Sequence, residues 1–291
     1  MSSEITPLAD GKVAVLSNSY ELDGRVSTHP VDARGYAPMQ TNLLRQGDRA
    51  LLLGTGLSGH ESRVIAQLEA TIGTARRSIM PLGFDFTLLS NARSIADRFG
   101  LEYVYQPSYQ DLPWTWLNLR PEFPIDETDA LRAAAVQIMK TGVPVELGER
   151  TLHLIVPPIR LLPNPWLYDE ATRTMFCVDL FTWVWRSEDR GPWVITEADD
   201  DPTTVETVRH ALYGNRYWWL SGADTDRLRR ALADTFERYE IETLAPDHGC
   251  TLSGSAVVER HYQLLDDLLA EAPDDPPIGV EVGGWTFAEA R

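Results

Sequence analysis

Positive charge is scarce in this sequence. Its 26 lysines and arginines face 43 aspartates and glutamates, a formal net charge of −17 at pH 7. So acidic a chain repels phosphate backbones, and no stripe of lysine or arginine with interleaved aromatics offsets the charge locally, which argues against a nucleic-acid partner. Cysteine is rarer still. Cys177 and Cys250 are the 2 thiols, too few for a disulfide framework and without C-x-x-C spacing, so both are expected as buried side chains. A long apolar run is missing too, and the opening "MSSEITPLAD" has neither the basic start nor the apolar stretch of a secretory leader. The expected setting is the cytoplasm, with no membrane partner.

What is present suits a large folded core. Hydrophobic residues make up 43% of the chain and charged residues 24%, an ordinary globular balance, and 291 residues fit one α/β unit. "VAVLSN" (13–18) and "RALLL" (49–53) read as strands, with "QGD" as the turn before the second. "LLLGTGLSGHESRVIAQLEATIG" then runs from strand through a glycine turn into a helix that carries Val64, Ile65, Leu68 and Ile72 on one face. Gly54-Thr55-Gly56 lacks the spacing of a phosphate loop.

A second strand-turn-helix unit follows. "MPLGFDFTLLSN" (80–91) ends a strand in an apolar turn whose single ionisable side chain is Asp85, and "NARSIADRFG" is a helix stopped by Gly100. The segment "YQDLPWTWLNLRPEFP" reads as a loop, and a helix is expected around 127–140. Strands are expected at 143–147, 151–156, 173–179 and 193–196 and in "ETLAP", and helices at 203–212, 224–239 and 255–271. Strands grouped with helices in each half imply two sheets inside two helical layers, a four-layer αββα sandwich. Residues 1–272 would form this domain. Residues 273–291 would be a C-terminal extension, anchored through Trp285 and Phe287.

Four segments in this order resemble a metallo-β-lactamase fold, and in particular the oxygen-binding diiron domain of flavodiiron proteins. "MQTNLLRQGDRALLLGTG" is similar to that family's hairpin and Asp-Thr-Gly turn, with Gly54 in the aspartate's place. "VELGERTLHLIVPPIRLLPNPWLYDEATRTMFCVDLF" is similar to its strand pair ending in a buried aspartate, here Asp179. "RYWWLSGADTDRLRRALADTFERYEIETLAPDHGC" is similar to its helix, strand and final histidine-glycine, here His248 and Gly249. The fourth segment carries the departure. Where the family has H-x-E-x-D-H, this chain has Gly83 to Leu88, so Asp85 alone remains, shorter than the glutamate, and the next histidine ligand falls on Arg160 or Leu161.

The resemblance therefore implies a metal loop that has lost most of its ligands. One imidazole and two carboxylates, His248, Asp85 and Asp179, could still hold a single iron or manganese ion and serve as catalytic residues; otherwise no metal is expected. Without a metal, the two aspartates need a cation, from a protonated His248 or an inward Arg160. His60 could approach the same mouth, and Arg160 could bind the carboxylate or phosphate of a ligand. His29 sits on a loop segment. Trp114 and Trp166, among 9 tryptophans, could line an apolar pocket, while the aromatic excess also suits a homo-oligomer. The resemblance implies a divergent oxidoreductase or hydrolase acting on a small molecule, with a non-catalytic ligand-binding or assembly protein as the alternative. No flavodoxin-like segment is present, so a flavin donor would come from another chain.

Overall fold

The strands of the first half alternate their apolar side chains between two faces, and that alternation builds two cores at once. The computed structural model describes residues 1–82, 86–107, 134–160, 164–198 and 201–278. Its first sheet runs in chain order through β1 (Ser3–Leu8), β2 (Val13–Leu22), β3 (Gly35–Gln46), β4 (Arg49–Leu53), β5 (Arg76–Met80), β6 (Tyr103–Pro107) and β7 (Ala135–Met139). The first four strands are antiparallel, and the β3–β4 hairpin turns on Gly47, whose φ of 55° only glycine adopts cheaply. From β4 onward the pairing is parallel, so each link must cross over the sheet. Helix α1 (Glu61–Thr71) makes the first crossover. The single turn α2 (Phe86–Leu89) and α3 (Ala92–Phe99) lie on the second.

The second sheet has the order β12-β14-β13-β11-β10-β9-β8. These strands are β8 (Val145–Leu147), β9 (Arg150–Ile155), β10 (Trp166–Asp169), β11 (Thr174–Val178), β12 (Val194–Ile195), β13 (Thr243–Pro246) and β14 (Thr251–Ser253). Helices α4 (Val205–Tyr213), α5 (Asp226–Arg238) and α6 (Ser255–Glu271) cover its outer face. Side-chain parity fixes the layers. Val13, Leu44, Leu51 and Leu53 meet Leu152, Leu154, Leu167 and Phe176 between the sheets. Their sequence neighbours Ala14, Leu43 and Leu52 point outward against Val64 and Leu68 of α1 and Ile95 of α3. In β11 the same parity sends Phe176 inward and Met175 and Cys177 outward, toward Val208, Leu232 and Leu265 of the helices. The result is the αββα sandwich. Each of these leucines contributes roughly 1.5–3 kcal/mol by leaving water.

One fully buried ion pair fastens this frame. Arg150 donates from Nε to Asp169 Oδ1 at 3.3 Å and from Nη2 to Oδ2, and Thr172 also bonds that carboxylate. Arg150 Nη1 reaches across to the first sheet, to the Lys12 and Arg45 carbonyls at 3.0 and 2.9 Å.

Several elements differ from the sequence reading. Residues 135–139 of the expected helix at 127–140 form edge strand β7, because parallel pairing with β6 supplies backbone partners that alanine-rich helix propensity cannot match. Residues 127–133 lie outside the described residues. Strands β1, β6, β10 and β14 are not among the strands read from periodicity. Residues 272–274 continue from α6 as a 3-10 turn. They and the residues after them lie against the turn Trp218–Leu220: Gly222 N bonds the Ala272 carbonyl at 2.8 Å, Ser221 Oγ bonds the Pro276 carbonyl at 2.8 Å, and Arg209 pairs with Asp275. Trp285 and Phe287 lie outside the described residues.

Candidate functional site

At the end of β11 the backbone is irregular. The register with β13 shifts between Phe176 and Val178, and Val178 takes φ 49°, a conformation that costs a β-branched residue of order 1–3 kcal/mol. The bend turns the next residue out of the ladder. That residue is Asp179, buried and accepting from Asn164 Nδ2 at 2.7 Å on one oxygen and from Arg216 Nη1 on the other. Arg216 reaches it from the turn after α4, where Gly214 N bonds the His210 carbonyl and Tyr217 N bonds the Leu212 carbonyl, wrapping the chain back toward the sheet.

His248 arrives from the turn between β13 and β14. Its position is set by a bridge to Met39 and by Gly249, whose amide bonds the Pro38 carbonyl at 3.0 Å. Gly249 has φ 78°, and a Cβ there would stand 2.6 Å from the Thr182 carbonyl oxygen, so only glycine fits. The imidazole is 2% exposed. Its Nδ1 lies 3.3 Å from the Tyr20 hydroxyl, and its Nε2 lies 3.6 Å from Asp247 Oδ2 without a hydrogen bond. His29 stands edge-on to it with ring centroids 6.5 Å apart and packs on Trp185 at 5.4 Å. Its Nδ1 meets Thr28 Oγ1 at 3.0 Å, and its buried Nε2 has no hydrogen-bond partner among the described residues. Thr28, Asp179, Asn215, Arg216, Tyr217 and His248 line a cleft whose free volume of ≈ 10 Å³ is about the room of one water.

Burial governs the protonation of this cluster. It pushes His248 well below the ordinary imidazole range, with the Arg216 charge and then His29 adding to the effect. His29 is pushed down to about 4 by burial and then by Arg216. Burial also raises the Tyr20 and Tyr217 phenols. The site therefore presents two neutral imidazoles, neutral phenols and one guanidinium at physiological pH.

Asp179 and His248 share this cleft, as their positions in the sequence imply. Asp85 and Trp114 lie outside the described residues. The cation beside Asp179 is neither of those anticipated: His248 is neutral, Arg160 is exposed beyond β9, and Arg216 does the pairing. His60 is buried at the head of α1, and it is not among the residues lining the cleft. Trp166 is a core residue of β10, 2% exposed and against Phe181. Arg216, Tyr20 and Asn164 were not anticipated. No spacing signal marks them, because they meet Asp179 and His248 only through the tertiary fold.

The described residues do not fit a metal centre. Both Asp179 oxygens are engaged by Asn164 and Arg216, and a guanidinium beside the carboxylate repels a cation. Leu88, equated with a ligand histidine, is an inter-sheet core residue whose Cδ2 would lie 3.0 Å from a Cβ on Gly54. Among the described residues, no three His, Cys, Asp or Glu side chains converge as ligands.

Comparison with solved structures places this architecture beside flavodiiron cores. A metal-soaked Flv1 flavodiiron core from Synechocystis sp. PCC6803 matches with a TM-score of 0.63 and 16% identity over 93% of this chain and 62% of that one. A diflavin flavoprotein fragment from Nostoc sp. PCC 7120 matches with a TM-score of 0.67 and 14% identity, covering 94% of this chain and 96% of the fragment. Rubredoxin oxygen:oxidoreductase from Desulfovibrio gigas gives a TM-score of 0.66 at 12% identity over 92% of this chain and 62% of that one. The chain thus spans about 62% of the length of the Synechocystis and Desulfovibrio proteins. At these identities the likeness is one of fold. No protein-family model matches the sequence, and no curated protein matches it. Among the described residues, no helix is long and apolar enough to cross a membrane.

Proposed function

We propose that this cleft is the small-molecule site of an enzyme in which the Arg216 guanidinium takes the electrostatic place of a metal. The observation that supports it is the Asp179 carboxylate, held between Arg216 and Asn164 at the position equated with a metal-bridging ligand. Arg216 suits a ligand with a carboxylate or a polarised carbonyl, which it can engage through planar paired donors. Asp179 and Asn164 position Arg216. His248, a neutral imidazole on the cleft wall, is the proton-transfer group, and Tyr20 fixes its ring. The chain carries well under two equivalents of transition metal and reduces neither dioxygen nor nitric oxide.

A non-catalytic ligand-binding or assembly protein is the second reading, favoured by a His248 too weakly basic to hold a proton for long. A mononuclear centre on Asp85, Asp179 and His248 would require Arg216 to leave Asp179.

Titration of tryptophan and tyrosine fluorescence with benzoate and short aliphatic carboxylates tests the proposal. Saturable binding, weakened at least tenfold in Arg216→Gln, is expected. Equal affinity of the native chain and Arg216→Gln would overturn the guanidinium's role. Turnover of a bound acid that is lost in His248→Gln separates the enzyme from the binding protein.

A further inference from the structure

The cleft is too small for the body of an acid. Its free volume of ≈ 10 Å³ is about the room of one water, so it admits an oxygen of a carboxylate and little more. The head group is also a weak anchor by itself. Arg216 is already paired with Asp179, the pair is neutral as a unit, and a chain of net charge −17 repels anions at a distance. A ligand of this site must therefore draw affinity from a part that lies outside the cleft.

The chain leads from the cleft wall straight to a surface suited to that part. Asn215, Arg216 and Tyr217 line the cleft, and the residues that follow them, Trp218–Leu220, form a 3-10 turn. Trp166, Trp183 and Trp193 are buried in the core, whereas Trp218 and Trp219 are 48% and 44% exposed. The turn that presents them is fastened. Leu220 is buried, its amide bonds the Tyr217 carbonyl at 3.0 Å, and the Gly222 amide bonds the Ala272 carbonyl at 2.8 Å. Two indoles held at the surface on a fixed backbone are a preorganised apolar shelf, which a ligand covers at little cost in ordering.

The two indoles are not equivalent. The Trp219 ring lies 6.4 Å from the Tyr217 ring, tilted by 53°, and so extends the aromatic surface outward from the cleft wall. Successive side chains of a 3-10 turn are about 120° apart, so Trp218 leaves the turn in a different direction. Arg216, Tyr217 and Trp219 follow one another as a cation, a buried aromatic wall and an exposed aromatic shelf.

We infer that Trp219 is a specificity-determining residue of this site, and that its ligands are amphipathic monocarboxylates whose head group meets Arg216 and whose apolar body lies over the Trp219 indole. The inference rests on the proposed reading of the cleft as a carboxylate site. Body length then sets affinity. A methylene wholly removed from water is worth about fourfold in affinity, and one covered on a single side by the indole about twofold. A second carboxylate at the far end gains nothing from the indole and is repelled by the acidic chain, so diacids of the same length bind more weakly.

Isothermal titration calorimetry of the full chain with acetate, butyrate, hexanoate and octanoate, and with suberate as the diacid of octanoate's length, tests this in the native chain, Trp219→Ala and Trp218→Ala. Affinity should rise about tenfold or more from butyrate to octanoate in the native chain and in Trp218→Ala, and less than about threefold in Trp219→Ala. Both indoles stand at the surface, so neither substitution empties the core, and Trp219→Phe, with a smaller ring, should fall between. A flat native series, or a rise that survives in Trp219→Ala, would overturn the inference while short acids still bound through Arg216. The proposed reading fails separately, and the inference with it, if the native chain binds none of the acids or binds octanoate equally well in Arg216→Gln. Self-association that disappears in Trp219→Ala, with no dependence on acid length, would assign the indole to a second copy and overturn the inference as well.

Discussion

Two arginine–carboxylate pairs at the second sheet, Arg150–Asp169 and Arg216–Asp179, carry the same chemistry and do different work. Arg150–Asp169 is closed. Its side chains are 2% and 0% exposed, and the arginine's third nitrogen is spent on two carbonyls of the first sheet. Arg216–Asp179 is less enclosed, with Arg216 19% exposed on a cleft wall beside an imidazole whose Nε2 has no hydrogen bond among the described residues. A buried pair saturated by the protein leaves nothing for a ligand. A pair at the sheet ends, reached through a strained Val178 and a glycine-only turn, keeps a guanidinium where something else can approach. The contrast separates scaffold from site without reference to any relative.

Removing one member of each pair should give the largest contrast. Arg150→Ala strands a fully buried carboxylate and is expected to cost about 3–5 kcal/mol. Arg216→Gln keeps a hydrogen-bond donor in reach of Asp179, whose other oxygen stays bonded to Asn164, and should cost less, about 1–3 kcal/mol. Urea unfolding of both variants measures this. Similar losses would mean that the Arg216 pair is scaffold too.

Acid should act on the open cluster first. A histidine whose pKa falls on folding binds its proton more tightly when unfolded, so its contribution to stability is complete above about 6.5 and declines as pH falls toward the folded value. For His29, held at about 4, the loss between these values is about 3 kcal/mol. His248 is shifted in the same direction by burial and adds to it. Urea midpoints taken from pH 7.5 to 4 should fall steeply in the native chain and less in His29→Gln. Parallel curves would show that His29 is not held neutral by the fold.

Gly249→Ala is a smaller perturbation of the same cluster. The added Cβ meets the Thr182 carbonyl in a backbone conformation that disfavours alanine, for about 1–3 kcal/mol by thermal unfolding. Because the turn carries His248, carboxylate binding should weaken in parallel. A stable variant with native affinity would detach the site from this turn.

The sandwich was legible in the sequence and the site was half legible, for one physical reason. Local periodicity reports which face of a strand or helix is apolar, so α6 was expected at its observed bounds and Val64, Leu68 and Ile72 were expected on one face of α1. It does not report pairing. β7 was read as helix because its partner, β6, lies in a distant stretch of the chain. The order of segments carried Asp179 and His248 into one cleft. Arg216, Tyr20 and Asn164 enter it from an irregular turn, a strand interior and a loop, where type and spacing say nothing about neighbours in space. Arg160 was the wrong cation because a one-dimensional correspondence fixes a position along the chain and leaves the side chain's direction open.

The account's central claim is that Arg216 replaces a metal as the counter-charge of Asp179. Elemental analysis of native chain and Arg216→Gln, purified without chelator and then dialysed against equal iron(II) and manganese(II), tests it most directly. The native chain should retain well under one equivalent, and Arg216→Gln, with Asp179 freed beside a neutral His248, should retain several-fold more. One tightly held equivalent in the native chain, unchanged or lowered in Arg216→Gln, would contradict the claim.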